Sequence, residues 1–233
     1  MGVIRHFLTI DGVSTLDFNV WISGGGTYNS PSRDIEKISI AGRNGDLIID
    51  NGRYNNITVP YEAFITKDFD KNMASFRAFI GSLKGYKVLK DTYDPEHYRM
   101  ANFSEGLDIE TSARNLAGKF TINFDCKPQK YLINGDNTIS FNSNGTLLNE
   151  TFYEARPLIR AYGTGSFSIN GVTCQINTAN VYTDIDCDRM EAYKGTTNCN
   201  GNVNIPTFPT LTHGINNIVT NMALDIAPRW WEL

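Results

Sequence analysis

This sequence predicts a mainly β fold carrying one amphipathic helix, and three observations predict it. Apolar residues alternate with polar ones in several segments, Asp-Gly or Asn-Gly pairs punctuate such segments, and one stretch alone has apolar residues at helical spacing. Period two marks a half-buried strand, and a positive-φ pair between two strands makes a tight hairpin. The 233 residues are 41% hydrophobic and 20% charged, enough for one large or two ordinary cores and too balanced for disorder.

In chain order, Phe7 to Ile10 is the first predicted strand, turned by Asp11-Gly12. Asp46 to Ile49 is the next. Asp50-Asn51-Gly52-Arg53 then predicts a hairpin turn into the segment where Ile57, Val59, Tyr61, Ala63 and Ile65 alternate with polar or small neighbours. Helical spacing follows: Phe69, Met73, Phe76, Ile80 and Leu83, with Asp68 or Asp70 placed to cap the start. That is about four turns near 69-83, and its aromatic and Met stripe reads as core packing against a sheet.

Phe120, Ile122, Phe124 and Cys126 form another alternating strand. Lys127-Pro128-Gln129 is expected to stop it, since proline donates no ladder hydrogen bond. A boundary near 130 divides the chain into a β-rich domain with the helix, 1-130, and a second domain, 131-233. The second is rich in Asn, Thr and Gly, with short strands at Thr138 to Phe141, Leu158 to Tyr162, Phe167 to Ile176 (turned by Asn170-Gly171), Val181 to Cys187 and Ile215 to Asn221. The last strand runs from Ala223 to Ile226 and ends at Pro228. Short strands at that spacing, with no helical pattern between them, describe a β-sandwich of about a hundred residues.

The formal net charge of -4, from 21 basic and 25 acidic residues, supplies no basic face for a dedicated nucleic-acid binder. Met1 to Ile10 has no apolar run of signal-peptide length, and no segment is long and apolar enough for a membrane span. Cys126, Cys174, Cys187 and Cys199 lack Cys-x-x-Cys spacing and read as reduced thiols rather than a disulfide framework or a zinc site. The Asn-x-Ser/Thr triplets at Asn56, Asn102, Asn144 and Asn149 carry no weight in an Asn- and Thr-rich chain without a signal peptide.

Catalytic chemistry finds no motif. His6, His97 and His213 stand in separate neighbourhoods, none in a His-x-x-x-His pair. Asp184, Asp186 and Asp188 open like a calcium loop, but position six is Arg189 instead of glycine and position twelve is Gly195 instead of glutamate. The same alternation reads as a strand with the aspartates on a solvated face and Ile185 and Cys187 in the core. Gly24-Gly25-Gly26 lacks the lysine and threonine of a phosphate loop and reads as a flexible loop. Gly42-Arg43-Asn44-Gly45-Asp46 reads as a turn that exposes Arg43. The sequence therefore predicts no enzyme, no catalytic residue, no metal site and no cofactor.

Several stretches, taken in order, carry a resemblance. Ser32-Arg33-Asp34 leads through Ile38-Ser39-Ile40 into Ala41-Gly42-Arg43-Asn44-Gly45-Asp46-Leu47, then Asp50-Asn51-Gly52-Arg53-Tyr54 and the helix. Later come Phe124-Asp125-Cys126-Lys127-Pro128-Gln129-Lys130-Tyr131-Leu132, Phe208-Pro209-Thr210-Leu211 and the closing Pro228-Arg229-Trp230-Trp231-Glu232-Leu233. Across essentially its whole length the chain resembles the distal tail protein family of long, non-contractile bacteriophage tails. The resemblance implies a virion component at the distal end of the tail, with an N-terminal domain that closes into a homo-hexameric ring and a C-terminal galectin-like β-sandwich on the periphery. Such a ring joins the major tail tube protein to the tail-associated hub protein, carries receptor-binding baseplate proteins, and passes DNA through its channel without specific binding. The chain has no spare length for the carbohydrate-binding modules inserted in larger relatives.

Within that reading Arg43, on its exposed turn, is the interface residue expected to bridge neighbouring subunits, since arginine is enriched at interfaces. Trp230 and Trp231 point to opposite sides if extended, one into the core and one to a surface. Gly24 to Ser30 are expected to order upon assembly. Two other classes remain open to the sequence. One is a carbohydrate-binding sandwich recognising host cell-wall glycans through Tyr162, Tyr182 or Tyr193. The other is a tail-tip cell-wall hydrolase, which needs a positioned carboxylate pair or a Cys-His pair.

Overall fold

The computed structural model describes residues 5–111, 116–179 and 181–233; of the Met1 to Ile10 segment, the first four residues lie outside the described residues. The described residues are mainly β with one α-helix. It divides into two compact units, Met1–Lys130 together with Leu233, and Tyr131–Glu232.

The first unit begins with β1 (Leu8–Ile10), β2 (Val13–Ser14), β3 (Val20–Ser23), β4 (Arg33–Ile38), β5 (Leu47–Tyr54) and β6 (Ile57–Ile65). Helix α1 (Phe69–Ser82) follows, then β7 (Lys87–Asp91), β8 (His97–Asn102), β9 (Ile109–Thr111) and β10 (Gly118–Leu132), whose end from Tyr131 belongs to the second unit. The main sheet runs β2-β1-β7-β8-β10-β6-β3, with β9 also beside β10. Its spine is the antiparallel pair β6 and β10, in register from Gly118↔Ile65 to Cys126↔Ile57. The alternating residues of both strands face one core: Ile57, Val59, Tyr61, Ala63 and Ile65 from β6 and Phe120, Ile122, Phe124 and Cys126 from β10. Helix α1 adds Phe69, Met73, Phe76 and Ile80 to it, and Leu83 packs at its end.

Three local expectations are corrected. Asp68 precedes the helix but does not cap it: its backbone is left-handed (φ 46°) and its side chain makes no capping hydrogen bond. A capping side chain needs an extended backbone to reach the first free N–H groups. Pro128 does not end its strand, which continues to Leu132. The ladder with β6 is already over at Cys126, so the missing donor costs nothing on that side, and the fixed φ of proline suits an extended chain. Asn51-Gly52 is not a hairpin turn either. β5 runs straight through it and pairs with β4, where the register jumps between Arg33↔Tyr54 and Ile35↔Asp50. Gly52, at φ 70°, serves a β-bulge instead. Asp11-Gly12 and Asn170-Gly171 do turn hairpins, each with both residues at positive φ.

The second unit holds β11 (Ile139–Phe141), β12 (Gly145–Asn149), β13 (Leu158–Tyr162), β14 (Gly165–Ile169), β15 (Val172–Ile176) and β16 (Tyr182–Asp186). It continues with β17 (Glu191–Lys194), β18 (Thr197–Asn198), β19 (Val203–Asn204), β20 (Gly214–Thr220), β21 (Ala223–Ala227) and β22 (Trp231–Glu232). One sheet runs β11-β21-β13-β16-β17-β18 and the other β12-β20-β14-β15-β19. Ile159, Ala161, Ile185, Leu224 and Ile226 of the first sheet share one core with Leu147, Phe167, Ile169, Ile176 and Ile218 of the second. Two antiparallel sheets around one apolar layer make a β-sandwich.

Candidate functional site

The feature of the first unit that its own core does not explain is the ribbon β4–β5. Among the described residues, the two strands pair only with each other. Its turn is built by Gly42 (φ 78°) and Gly45 (φ 82°), and Arg43 N–H donates to the Ile40 carbonyl at 3.2 Å. Arg43 is exposed on that turn, as the glycine spacing predicts. The base is fastened by ion pairs, Arg33 to Asp50 at 2.8 Å and Arg53 to Asp34 at 2.5 Å, and by Asn51 Nδ2 donating to Asp34 at 3.2 Å. Between base and tip, Ile35, Ile38, Ile40, Leu47, Ile48 and Ile49 are 37 to 59% exposed. Sequence reasoning fixed on Arg43 and passed over these aliphatic residues. The signal was the unbroken run Leu47-Ile48-Ile49, which in a two-stranded ribbon must leave apolar side chains on both faces.

Gly24-Gly25-Gly26 is packed rather than loose. Gly24 N–H donates to the Tyr93 hydroxyl at 2.9 Å. A Cβ on Gly25 would sit 3.0 Å from Tyr93 Cβ, and one on Gly26 would meet Val59 Cγ1 at 2.7 Å and the Tyr61 hydroxyl at 3.1 Å. The glycines let the backbone approach the aromatic side chains of the sheet closely.

The histidines stay apart. His6 stacks on Tyr93 with ring centroids 3.6 Å apart, His97 Nδ1 lies 2.6 Å from Asp94, and His213 Nδ1 lies 2.9 Å from the Thr151 carbonyl. Lys130 pairs with the other oxygen of Asp94. Burial would raise the Asp94 carboxyl, but the hydrogen bonds from Lys130 and His97 outweigh it and lower its pKa. Among the described residues, no group of three or more His, Cys, Asp or Glu side chains is arranged to hold a metal ion. No described helix is long and apolar enough to cross a membrane.

Asp184 and Asp186 are not on a solvated face. They are 5% and 3% exposed, and each is gripped by an arginine. Arg160, opposite Asp184 in the β13–β16 register, donates from Nε and Nη2 at 2.7 and 3.0 Å. Arg229 donates to Asp186 from Nη1 and Nη2 at 2.8 and 3.1 Å. An aspartate row can leave solvent when a guanidinium fork covers both oxygens. Asp188 stays half exposed.

The tyrosines of the carbohydrate reading share that face but are already engaged. Tyr162 donates its hydroxyl to Asp225 at 2.7 Å, and the Arg160 guanidinium lies 4.3 Å from the centre of the Tyr182 ring. Tyr193 pairs with Asp184 in the β16–β17 register. Trp230 and Trp231 both pack partly buried against the sandwich core. Trp231 stacks on Tyr153 at 4.5 Å and donates Nε1–H to the Glu154 carbonyl at 2.9 Å.

No family model and no curated protein matches the sequence. Solved structures do match, and the class their fold defines is that of two-unit, mainly β chains like those seen in phage adsorption-hub and baseplate structures. More particularly, the chain resembles the crystal structure of the SPP1 Dit (gp 19.1) protein, described as a paradigm of the hub adsorption apparatus in phages infecting Gram-positive bacteria. The TM-score is 0.71 at 12% identity, over 95% of this chain and 97% of that one. Chains of the phage P2 baseplate in its activated conformation also match: with Ca, TM-score 0.50 at 12% identity over 96% of this chain and 98% of that one; with Sr, 0.50 at 13% over 97% and 98%. At such identity the likeness is one of fold, and the fold is Dit-like.

Proposed function

We propose that this chain is a structural component of a phage tail tip, a distal tail protein whose copies close into a hexameric ring. The single observation that carries the reading is the Dit-like fold across 95% of the chain. The ring joins the tail tube to the tail-associated hub protein at the distal end of the virion, and DNA passes through its channel. A chain of net charge -4 suits that passage, because a dense basic lining would hold phosphates rather than let them slide. The galectin-like second unit sits on the periphery, where receptor-binding baseplate proteins attach. Arg43, at the tip of the β4–β5 ribbon, bridges neighbouring subunits. The work is assembly rather than turnover: the histidines are dispersed and the buried carboxylates are paired with arginines.

Light scattering coupled to size exclusion over a range of concentrations tests this. A hexameric mass, or a concentration-dependent approach to one, supports the ring. A chain that stays monomeric at every concentration counts against it.

A further inference from the structure

The second sheet of the sandwich, β12-β20-β14-β15-β19, is built without a charged side chain. Its five strands come from Asn137 to Asn149, Ala161 to Thr183 and Gly195 to Leu224, stretches with no Asp, Glu, Lys or Arg in a chain that is 20% charged. Leu147, Phe167, Ile169, Cys174, Ile176 and Ile218 turn into the core, so the residues that alternate with them face outward. Across that outer face the register runs Thr146↔Asn217 and, one row along, Val219↔Ser168↔Thr173. Toward the end of the β12–β20 pair Leu148 stands opposite Ile215, 54 and 68% exposed. In the loops beyond, the Phe152 ring is 85% exposed and stacks on His213 with centroids 5.1 Å apart, and His213 Nδ1 lies 2.9 Å from the Thr151 carbonyl.

We propose that this face binds a neutral polysaccharide, with sugar hydroxyls held by its hydroxyl and amide side chains and one sugar ring laid on Phe152. It is the sheet opposite the one that carries Tyr162 and Tyr182, and the site does not depend on the ring reading above. The lack of charge selects the ligand. An anionic polymer is held through Lys and Arg, and this sheet has neither. A sugar hydroxyl both donates and accepts, as Ser, Thr, Asn and Gln side chains do. Among the described residues, the side chains of Thr146, Ser168, Thr173, Gln175 and Asn217 have no hydrogen-bond partner, so their groups face a ligand unspent. A protein contact fits less well, because protein interfaces are depleted in serine and enriched in aromatic residues, Met and Arg, whereas hydroxyls and amides run along this face and its one aromatic platform stands at the end. That platform is already placed: His213 covers one side of the Phe152 ring and leaves the other open, so little ordering is needed when a sugar ring lies on it.

The test is native electrophoresis of the full chain through gels cast with dextran, mannan, galactan or laminarin, with heparin as the charged control. Phe152→Ala and Asn217→Ala run beside the wild type, with thermal melts of all three. The expected result is retardation of the wild type in at least one neutral gel, unchanged by added salt, and none in heparin. Each variant should lose about tenfold or more in affinity while melting like the wild type. Should Phe152→Ala melt early, Asn217→Ala decides alone, since its side chain holds nothing within the protein. Unaltered migration in every neutral gel overturns the proposal, and so does equal retardation of wild type and variants. Retardation in heparin alone overturns it too, because the attraction is then one of charge. A wild type that ignores every polysaccharide, with a Phe152→Ala variant of altered mass by light scattering, makes the face a protein contact instead.

Discussion

Arg229 closes a two-pronged ion pair on Asp186, Nη1 to Oδ1 at 2.8 Å and Nη2 to Oδ2 at 3.1 Å. The same carboxylate accepts the backbone N–H groups of Asp188 and Arg189 at 3.0 and 3.1 Å. The Asp186 side chain is 4% exposed and that of Arg229 25%. Removing one member of a buried pair leaves the other charge uncompensated, which costs about 3–5 kcal/mol. Asp186→Ala is therefore expected to destabilise the sandwich by that order, read from urea midpoints, while Asp188→Ala, on the exposed neighbour, moves them little.

Acid should unfold the sandwich through the same groups. Burial pushes the Asp186 carboxyl up, but Arg229 and the two backbone amides outweigh it, so its pKa is lowered on folding. Asp225 is lowered as well, by the Ser140 hydroxyl first and the Tyr162 hydroxyl next. A lowered folded pKa means that the folded state binds fewer protons than the unfolded one. The stability is present above the ordinary carboxylate range and is lost as pH falls through the folded pKa. Urea midpoints are expected to fall below about pH 4, and Asp186→Asn should flatten that fall. An unchanged slope in the variant would remove Asp186 from the account.

Gly52 supplies a sharper test of the ribbon. Its φ of 70° lies where only glycine is at ease, and a Cβ there would meet open space, so strain alone is at stake. Gly52→Val is expected to cost about 1–2 kcal/mol locally, visible as faster amide exchange in β4 and β5 with the global melt unchanged. The position also shows what the sequence made legible. The period-two strands β6 and β10 and the helix stripe were readable because one face of each meets a core. Asn51-Gly52 misleads because an Asn-Gly pair suits a hairpin turn, where both residues take positive φ, and a bulge, where here only Gly52 does, and the partner strand decides. The burial of Asp184 and Asp186 was hidden because the covering arginines lie far from them in sequence, on β13 and beyond β21.

Asn216 is a polar residue at a core position. It is fully buried. Its Oδ1 accepts from Thr212 N–H at 2.8 Å and Asn170 Nδ2 at 2.7 Å, and its Nδ2 donates to the Thr212 and Gly214 carbonyls at 2.9 and 3.0 Å. Ile215-Asn216-Asn217-Ile218 gives no hint of which asparagine points inward; the register, with Asn216 opposite Leu147, settles it. Asn216→Leu keeps the size but strands several buried groups, each worth about 1–3 kcal/mol. A loss of at least about 3 kcal/mol is expected, against little change for Asn217→Ala on the exposed face.

The cysteines give the last prediction. All four are buried and free. Burial pushes the Cys126 thiol up to about 12, opposed by nearby Arg99, and the Cys174 thiol up to about 12. Cys187 is raised further, by burial first and then by Cys174 and Asp186. The thiolate is the species that attacks a disulfide, so these groups are protected twice, by access and by protonation. A chromogenic disulfide reagent near pH 8 should find almost no thiol in the native protein and all four once it is unfolded. Reductant should leave the melting temperature unchanged. Rapid labelling of the native chain would mean that a sheet opens around a cysteine, and peptide mapping of the label would show which core gives way.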